Sequence, residues 1–272
     1  MNIEVIKSGN GELLFNAEFS RLLHENNIES FSDLWDIAGE PVKKKLAIRG
    51  TERVYLKSGS TRTEAYIKRY LPLPAKEYFK AITSFRPFFP DGAMHEWEAI
   101  ISFHQAGIPT MKPIAAGMDK QGRSVLLTLG IQNYTRASKL LKEWLNNDEK
   151  NSDRRRLIVN IAELAGKMHA AKFAHQDFYL VHLFVLENFD VMPIDLQRVI
   201  MGRQFGRRWR IKDLGQLLYS AWDLTTLKEK IIFWQKYTDI AGKEIYKDKR
   251  LIRAVVRKAE HIRNRSIRKQ NN

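Results

Sequence analysis

Two aspartates, Asp177 and Asp195, are the residues whose type and spacing most clearly indicate chemistry. Asp177 lies in the segment 175–182, His-Gln-Asp-Phe-Tyr-Leu-Val-His, and Asp195 follows 18 residues later at the end of an apolar run. One carboxylate of such a pair can accept a hydroxyl proton while the other holds Mg²⁺ against phosphate groups. A lone His-x-Asp tripeptide is more often part of a turn. The combination of Asp177 with a second aspartate at this spacing is what indicates phosphoryl transfer.

Phosphoryl transfer also needs a lysine that positions the nucleotide, and Lys68 is the candidate. It lies in the β-rich run 65–70, whose apolar and aromatic residues indicate burial of at least one face. The alternative is a solvated lysine at a strand edge. In eukaryotic-type kinases the strand lysine pairs with a helix glutamate, and an asparagine follows the catalytic aspartate by five residues. Glu96 is the expected partner, Glu98 is the second choice, and His182 stands at the asparagine position.

The segments around these residues predict strands early in the chain and helices later, an α+β order that suggests two lobes. A hairpin is predicted for residues 53–70, with a Ser/Gly-rich turn in the middle. Helices are predicted for 94–105 and 153–173, because apolar residues recur there on one helical face. The other predicted elements are one or two short helices at 13–37, an irregular Pro-rich excursion at 71–90, strands at 112–117 and 125–129, a short helix near 140–144, a hairpin at 183–194 and helices from 213 onward.

The chain resembles the Kdo/WaaP family of lipopolysaccharide core kinases, and especially its heptose kinase branch. The catalytic loop of that family has the form His-x-Asp-x-Tyr-x-x-His, which His175, Asp177, Tyr179 and His182 reproduce. The branch that phosphorylates Kdo tends to keep an asparagine at the last of these positions. The resemblance covers most of the chain, and the further matching runs are 66–70, 96–110, 193–198 and 207–214.

The resemblance implies a two-lobed, protein-kinase-like α+β fold with a small β-rich N-terminal lobe and a larger helical C-terminal lobe. The predicted domains are a helical extension at 1–44, an N-lobe at 45–130 with the nucleotide-binding strands and the Glu helix, and a C-lobe at 131–272 with the catalytic and metal-binding loops. The implied reaction transfers the γ-phosphate of ATP to a heptose hydroxyl of the lipopolysaccharide inner core, with ATP and Mg²⁺ as cofactors.

The resemblance also implies roles for single residues. Asp177 would be the base, with His175 and His182 as its catalytic neighbours. Asp195 would bind Mg²⁺, and Lys68 with Glu96 would position the ATP phosphates. Imidazole is a poor Mg²⁺ ligand, so His182 is expected either at the metal or orienting an aspartate or a metal-bound water. A zinc site made of His175, Asp177 and His182 is the alternative.

Three further sites are predicted with the same resemblance. No Gly-x-Gly-x-x-Gly motif occurs, so Gly50, in Arg49-Gly50-Thr51, is the candidate for a phosphate-covering turn. Thr128, Leu129 and Gly130 occupy the stretch where a kinase hinge would bind adenine through its backbone. Asp213 would be a structural brace that receives backbone N–H groups of the catalytic loop, and a helix-terminal aspartate is the alternative.

The charge and composition of the chain bound its partners and its compartment. A formal charge of +15 attracts anions, so the expected partners are the inner-core saccharide, an anionic membrane surface and an acidic protein. Nucleic acid is not favoured, because no RNA- or DNA-binding signature is present. The chain has no cysteine and no apolar run of about 18 residues, and its N-terminus lacks an export signal. A cytoplasmic protein, peripheral on the inner face of the cytoplasmic membrane, is expected.

Two rival functions remain open at this stage. The first is a kinase for another acceptor, such as a protein side chain, Kdo or another envelope glycan, because acceptor contacts lie in loops. The second is a pseudokinase scaffold that binds an acidic membrane partner. The missing glycine-rich loop and His182 favour this second reading, whereas the presence of Lys68, Asp177 and Asp195 opposes it.

Overall fold

The computed structural model describes residues 3–8, 11–42, 49–72 and 92–270. The chain forms two compact units, residues 1–132 and 133–272. The Pro-rich excursion predicted for 71–90 falls almost entirely outside the described residues. In the described part of the chain, no helix is both long and apolar enough to cross a bilayer. The division into three domains at residues 44/45 and 130/131 stays a prediction.

An antiparallel sheet of seven strands forms the framework of the first unit. The strands are β1 (Val5–Lys7), β2 (Leu13–Asn16), β3 (Glu40–Pro41), β4 (Arg49–Ser58), β5 (Thr61–Tyr70), β6 (Pro113–Met118) and β7 (Ser124–Leu129). Their order in the sheet is β1-β2-β6-β7-β5-β4-β3. The predicted hairpin is present and extends over β4 and β5, with Ser58 opposite Thr61 and the turn at Gly59 in the left-handed region at φ 60°.

Three described helices accompany this sheet: α1 (Ser20–Glu25), α2 (Phe31–Trp35) and α3 (Ala93–Gln105). The helical prediction for 13–37 is wrong at its start, because Leu13–Asn16 is a strand that pairs with β6. The apolar pair at Leu13 and Leu14 fits either a helix or a strand, and pairing along β6 decides between them. The remainder of that segment holds α1 and α2 as predicted.

The second unit is mainly helical. Its helices are α4 (Ala137–Glu143), α5 (Asn151–Ala170), α6 (Arg207–Ala221), α7 (Leu227–Ala241) and α8 (Lys249–Gln270). Short strands connect them: β8 (Tyr134–Arg136), β9 (Phe173–Ala174), β10 (Leu183–Leu186), β11 (Val191–Pro193) and β12 (Ile200–Met201). The predicted helix at 153–173 corresponds to α5, and the predicted hairpin at 183–194 corresponds to the antiparallel pair β10–β11.

Helix α5 is anchored at both ends, which fixes the start of the loop that follows it. Near its beginning, the buried Arg154 guanidinium binds both carboxylate oxygens of Glu229 at 2.9 and 3.0 Å. Near its end, Gly166 lies against α7, where an added Cβ would come within 2.8 Å of Ile240 Cβ. Glycine therefore allows α5 and α7 to approach closely. A left-handed residue, Lys172, then redirects the chain into β9.

Candidate active site

An ion pair between Lys68 and Glu96 is the main feature of the candidate nucleotide site in the first unit. Lys68 Nζ lies 2.6 Å from Glu96 Oε1, and the Glu96 side chain is fully buried. The other carboxylate oxygen of Glu96 accepts a hydrogen bond from the Tyr70 hydroxyl at 3.0 Å. Glu98 is exposed. A buried carboxylate is tolerated when it is paired and hydrogen-bonded, and here both conditions hold the lysine in one place.

The edge of the sheet beside Lys68 differs from the expectation in one respect. Gly50 does not form a turn, because it lies within β4 opposite Arg69, and the ladder continues unbroken to the pair Arg49–Tyr70. The predicted phosphate-covering turn at residues 49–51 is therefore wrong. The preceding residues 43–48 lie outside the described part of the chain. A role for Gly50 in nucleotide binding stays a prediction.

The predicted hinge, Thr128 to Gly130, begins in the last two residues of β7. The N–H of Leu129 donates to Lys112 O at 2.9 Å, and the N–H of Gly130 donates to Glu64 O at 2.9 Å. These two N–H groups are therefore used within the protein. A backbone contact of Leu129 or Gly130 with adenine would have to use their carbonyl groups instead. An added Cβ at Gly130 would lie 2.9 Å from Glu64 O, so glycine is required there.

The catalytic loop in the second unit is held from behind by one face of α6. Asp213 is fully buried, and its carboxylate accepts the backbone N–H of His175 at 2.7 Å and that of Gln176 at 2.8 Å. Gln216, one turn further along α6, donates to Gln176 O at 2.7 Å and accepts from Phe178 N at 3.2 Å. Two side chains thus bind four backbone groups around Asp177, and Gln176 is kept at a left-handed φ of 67°.

The two histidines of the loop connect Asp177 to the segment before Asp195. His182 Nδ1 lies 2.7 Å from Asp177 O, and His175 Nε2 lies 2.9 Å from Ile194 O. A carbonyl oxygen only accepts hydrogen bonds. His182 Nδ1 and His175 Nε2 must therefore each carry a hydrogen. Burial lowers the pKa of His175, so its ring is neutral, and its Nδ1 is then able to accept the N–H of Asp177 at 3.3 Å.

Asp195 lies two residues after the end of β11 and adopts a left-handed φ of 66°. Its position is tied to the catalytic loop by the N–H of Ile194, which donates to His182 O at 3.0 Å. A single carboxylate fits Mg²⁺, which is commonly bound by one or two carboxylates together with phosphates and water. Among the described residues, no group of three His, Cys, Asp or Glu side chains is arranged to hold a metal ion, so the zinc alternative has no support.

The structure adds residues that the sequence did not indicate. Arg198 Nη1 lies 3.2 Å from Asp177 Oδ2, and Lys212 Nζ donates to Gln176 Oε1 at 2.9 Å. Behind Asp213, His169 Nε2 lies at 3.4 Å, and its Nδ1 contacts the Tyr237 hydroxyl at 2.8 Å. Burial lowers the pKa of His169, although Asp213 opposes this effect. Spacing could have revealed Gln216 alone, since it lies three residues after Asp213 on the same helical face.

The strand lysine paired with a helix glutamate, and the His-x-Asp loop held by α6, define a protein-kinase-like phosphotransferase. Comparison with known proteins agrees. The model of the lipopolysaccharide kinase (Kdo/WaaP) family matches residues 34–237, and the chain belongs to this family. The predicted fold class is confirmed by the helix and strand content of the two units and by a structural neighbour of this kind.

Three relatives illustrate the similarity. Lipopolysaccharide core heptose(I) kinase WaaP of Pseudomonas aeruginosa is 30% identical over 65% of this chain and 71% of that protein. The protein of the same name from Escherichia coli K12 is 28% identical over 89% of this chain and 94% of that protein. A solved structure, WaaP in complex with acyl carrier protein, has a TM-score of 0.72 and 26% identity, covering 92% of this chain and 98% of that one.

Proposed function

We propose that this chain is an ATP- and Mg²⁺-dependent kinase that phosphorylates a heptose hydroxyl of the lipopolysaccharide inner core. The loop 175–182, with its carboxylate at Asp177 and its backbone bound by Asp213, is the observation that carries the proposal. Two relatives that match 89% of this chain and 94% of their own length are named heptose(I) kinases, which supports this acceptor over others. The sugar hydroxyl would lie against Asp177, which orients it and accepts its proton.

The other residues prepare the reactants. Lys68, held by Glu96, would bind the ATP phosphates, and Asp195 would hold Mg²⁺, which supplies positive charge to the transferred group when it is bound. The backbone at Thr128 to Gly130 would contact adenine. His182 and His175 would position the carboxylate of Asp177 and the segment before Asp195 through the two carbonyl contacts described above.

The basic surface of α8 supports a peripheral location at an anionic membrane. This helix carries nine Lys and Arg residues against a single Glu, while Leu251 and Ala259 are buried on its other side. Each basic side chain near an anionic surface contributes about 1 kcal/mol of attraction. We propose that the protein acts on the cytoplasmic face of the membrane, where ATP is present and its lipid-linked acceptor would be accessible.

An acidic protein partner is a further part of the proposal. The structural neighbour was solved in complex with acyl carrier protein. In the second unit of this chain, an apolar cavity of about 850 Å³ is lined by residues that include Leu141, Ile161 and Leu217. A cavity of this size would take an acyl chain. The test is calorimetric titration with acylated and acyl-free carrier protein, and equal binding of the two forms would contradict a role for the cavity.

The function is tested by incubating the protein with ATP, Mg²⁺ and dephosphorylated core lipopolysaccharide, followed by mass spectrometry of the saccharide. The expected product is a core heptose that carries one additional phosphate. Phosphorylation of added protein substrates, or of Kdo instead of heptose, would replace the proposed acceptor. No turnover on any acceptor and no Mg²⁺-ATP-dependent thermal shift would favour the scaffold reading.

A further inference from the structure

Arg198 forms a loose ion pair with the carboxylate that we propose as the base. Its Nη1 lies 3.2 Å from Asp177 Oδ2 and 3.4 Å from Oδ1. Close charge-assisted contacts between nitrogen and a carboxylate oxygen are shorter, about 2.7–2.9 Å. The Arg198 side chain is 50% exposed, whereas that of Asp177 is 22% exposed. The guanidinium therefore has room to bind something else while it stays near Asp177.

The backbone of Arg198 is fixed, although its side chain reaches into solvent. Gln176 Nε2 donates to Arg198 O at 2.8 Å, and the other end of that amide, Oε1, accepts from Lys212 Nζ at 2.9 Å. Gln176 precedes Asp177 and is itself held by Asp213 and Gln216. Two cationic groups, those of Arg198 and Lys212, are thus attached to the same rigid loop beside the base.

The electrostatics of this corner favour an additional anion. Burial, and after it the charge of Arg198, lower the pKa of Lys212 to about 8, although Asp177 and Asp213 act in the opposite direction. The surroundings therefore disfavour the positive charge of Lys212. A negatively charged ligand that entered beside Arg198 would relieve this cost.

We propose that Arg198, with Lys212 behind it, binds a carboxylate of the acceptor saccharide and so places the neighbouring hydroxyl against Asp177. Guanidinium presents a planar fork of donors that matches a carboxylate. Among the described residues, the guanidinium of Arg198 donates only to Asp177, and only through Nη1. The inference rests on the proposed function, because it requires the acceptor to be a core saccharide that carries carboxylates.

Steady-state kinetics with Arg198→Gln tests this subsite. The matched control is Arg207→Gln, which removes the same charge from a side chain that is 51% exposed and paired with Asp248. Two acceptors are compared: dephosphorylated core saccharide, and the same saccharide with its carboxylates reduced to alcohols. Losing a charge-assisted hydrogen bond should raise the KM for the carboxylated acceptor about tenfold in Arg198→Gln. The KM for ATP should remain unchanged.

Further comparisons separate charge from geometry. Arg198→Lys keeps the charge but loses the fork, so its acceptor KM should lie between those of the unaltered protein and Arg198→Gln. The reduced acceptor should give the same KM with the unaltered protein and with Arg198→Gln, and Arg207→Gln should resemble the unaltered protein throughout. An effect confined to the KM for ATP or to kcat would overturn the proposal and assign Arg198 to the transferred phosphoryl group or to Asp177.

Calorimetric titration of the carboxylated saccharide, without ATP, supplies a readout that does not depend on turnover. The proposal predicts binding that weakens about tenfold in Arg198→Gln and is unaffected in Arg207→Gln. Equal affinity of all three proteins, or no binding by any of them, would overturn it. If the saccharide binds as predicted but is never phosphorylated, the proposed function fails and the anion subsite stands.

Discussion

The brace between Asp213 and the catalytic loop can be tested with Asp213→Asn. Both carboxylate oxygens accept a buried backbone N–H, at 2.7 and 2.8 Å. An asparagine amide keeps one acceptor, but its NH₂ group would face the second N–H, donor against donor. Loss of one hydrogen bond to a charged group costs about 1.5–3 kcal/mol, and the buried unpaired N–H adds about 1–3 kcal/mol. Because these costs overlap, we expect a loss of about 3 kcal/mol, a large part of an ordinary stability of about 5–15 kcal/mol.

Urea unfolding and amide hydrogen exchange measure this effect. The urea midpoint of Asp213→Asn should fall clearly, and the amides of His175 and Gln176 should exchange roughly 100-fold faster. Asp223→Asn is the matched control, because it makes the same chemical change in a side chain that is 76% exposed. The Asp223 carboxylate has a long contact with Arg263, 3.5 Å from Oδ1 to Nη2. If both variants have the same midpoint and the two amides exchange at their original rates, the carboxylate of Asp213 does not hold the loop.

Three further changes test other parts of the account. Lys68→Met should lower kcat/KM for ATP at least about 100-fold. The control is Lys57→Met, which changes an exposed lysine on the adjacent strand and should have little effect. Equal activities of the two variants would show that Lys68 does not belong to the site. Tyr237→Phe leaves buried His169 Nδ1 without its 2.8 Å partner and should cost about 1–3 kcal/mol in urea unfolding, so an unchanged midpoint would contradict that contact. Burial is the main reason that the pKa of Lys212 falls from 10.5 to about 8. The unfolded chain therefore binds more protons between these values, and the penalty on folding is complete below pH 8 and disappears as the pH rises to 10.5. Lys212→Met should raise the thermal midpoint at pH 7 but not at pH 10.5, and the same difference at both pH values would refute this.

Sequence patterns predicted the elements whose signals are local. The stripe of α5 and the alternation in β4 and β5 follow from one side of each element being buried, and the structure contains all three. The helix predicted at the start of 13–37 was wrong, because the conformation of Leu13–Asn16 is decided by its pairing with a strand about a hundred residues later. The turn predicted at Gly50 failed for the same reason, since a long ladder of β4 with β5 overrides the local preference of glycine for turns.

The candidate site shows the same division. A carboxylate pair with kinase spacing, a strand lysine and a helix glutamate could be found in the sequence, because their chemistry restricts residue type and separation. Arg198 and Lys212 could not be found in this way. Arg198 is significant because it contacts the side chain of Asp177, and Lys212 because it contacts that of Gln176, and both contacts form only on folding. Long-range contacts of this kind leave no periodic trace in a single sequence.

Phosphate transfer by Asp177→Asn tests the central claim most directly. The variant is assayed with ATP, Mg²⁺ and dephosphorylated core lipopolysaccharide, beside Asp190→Asn, the same change at an exposed aspartate of the β10–β11 hairpin. In the described part of the chain, only Arg198 contacts the carboxylate of Asp177, and this contact is loose. Folding should therefore be retained, while kcat falls at least about 100-fold. Asp190→Asn should turn over normally. Undiminished transfer to the core heptose by folded Asp177→Asn would contradict the account.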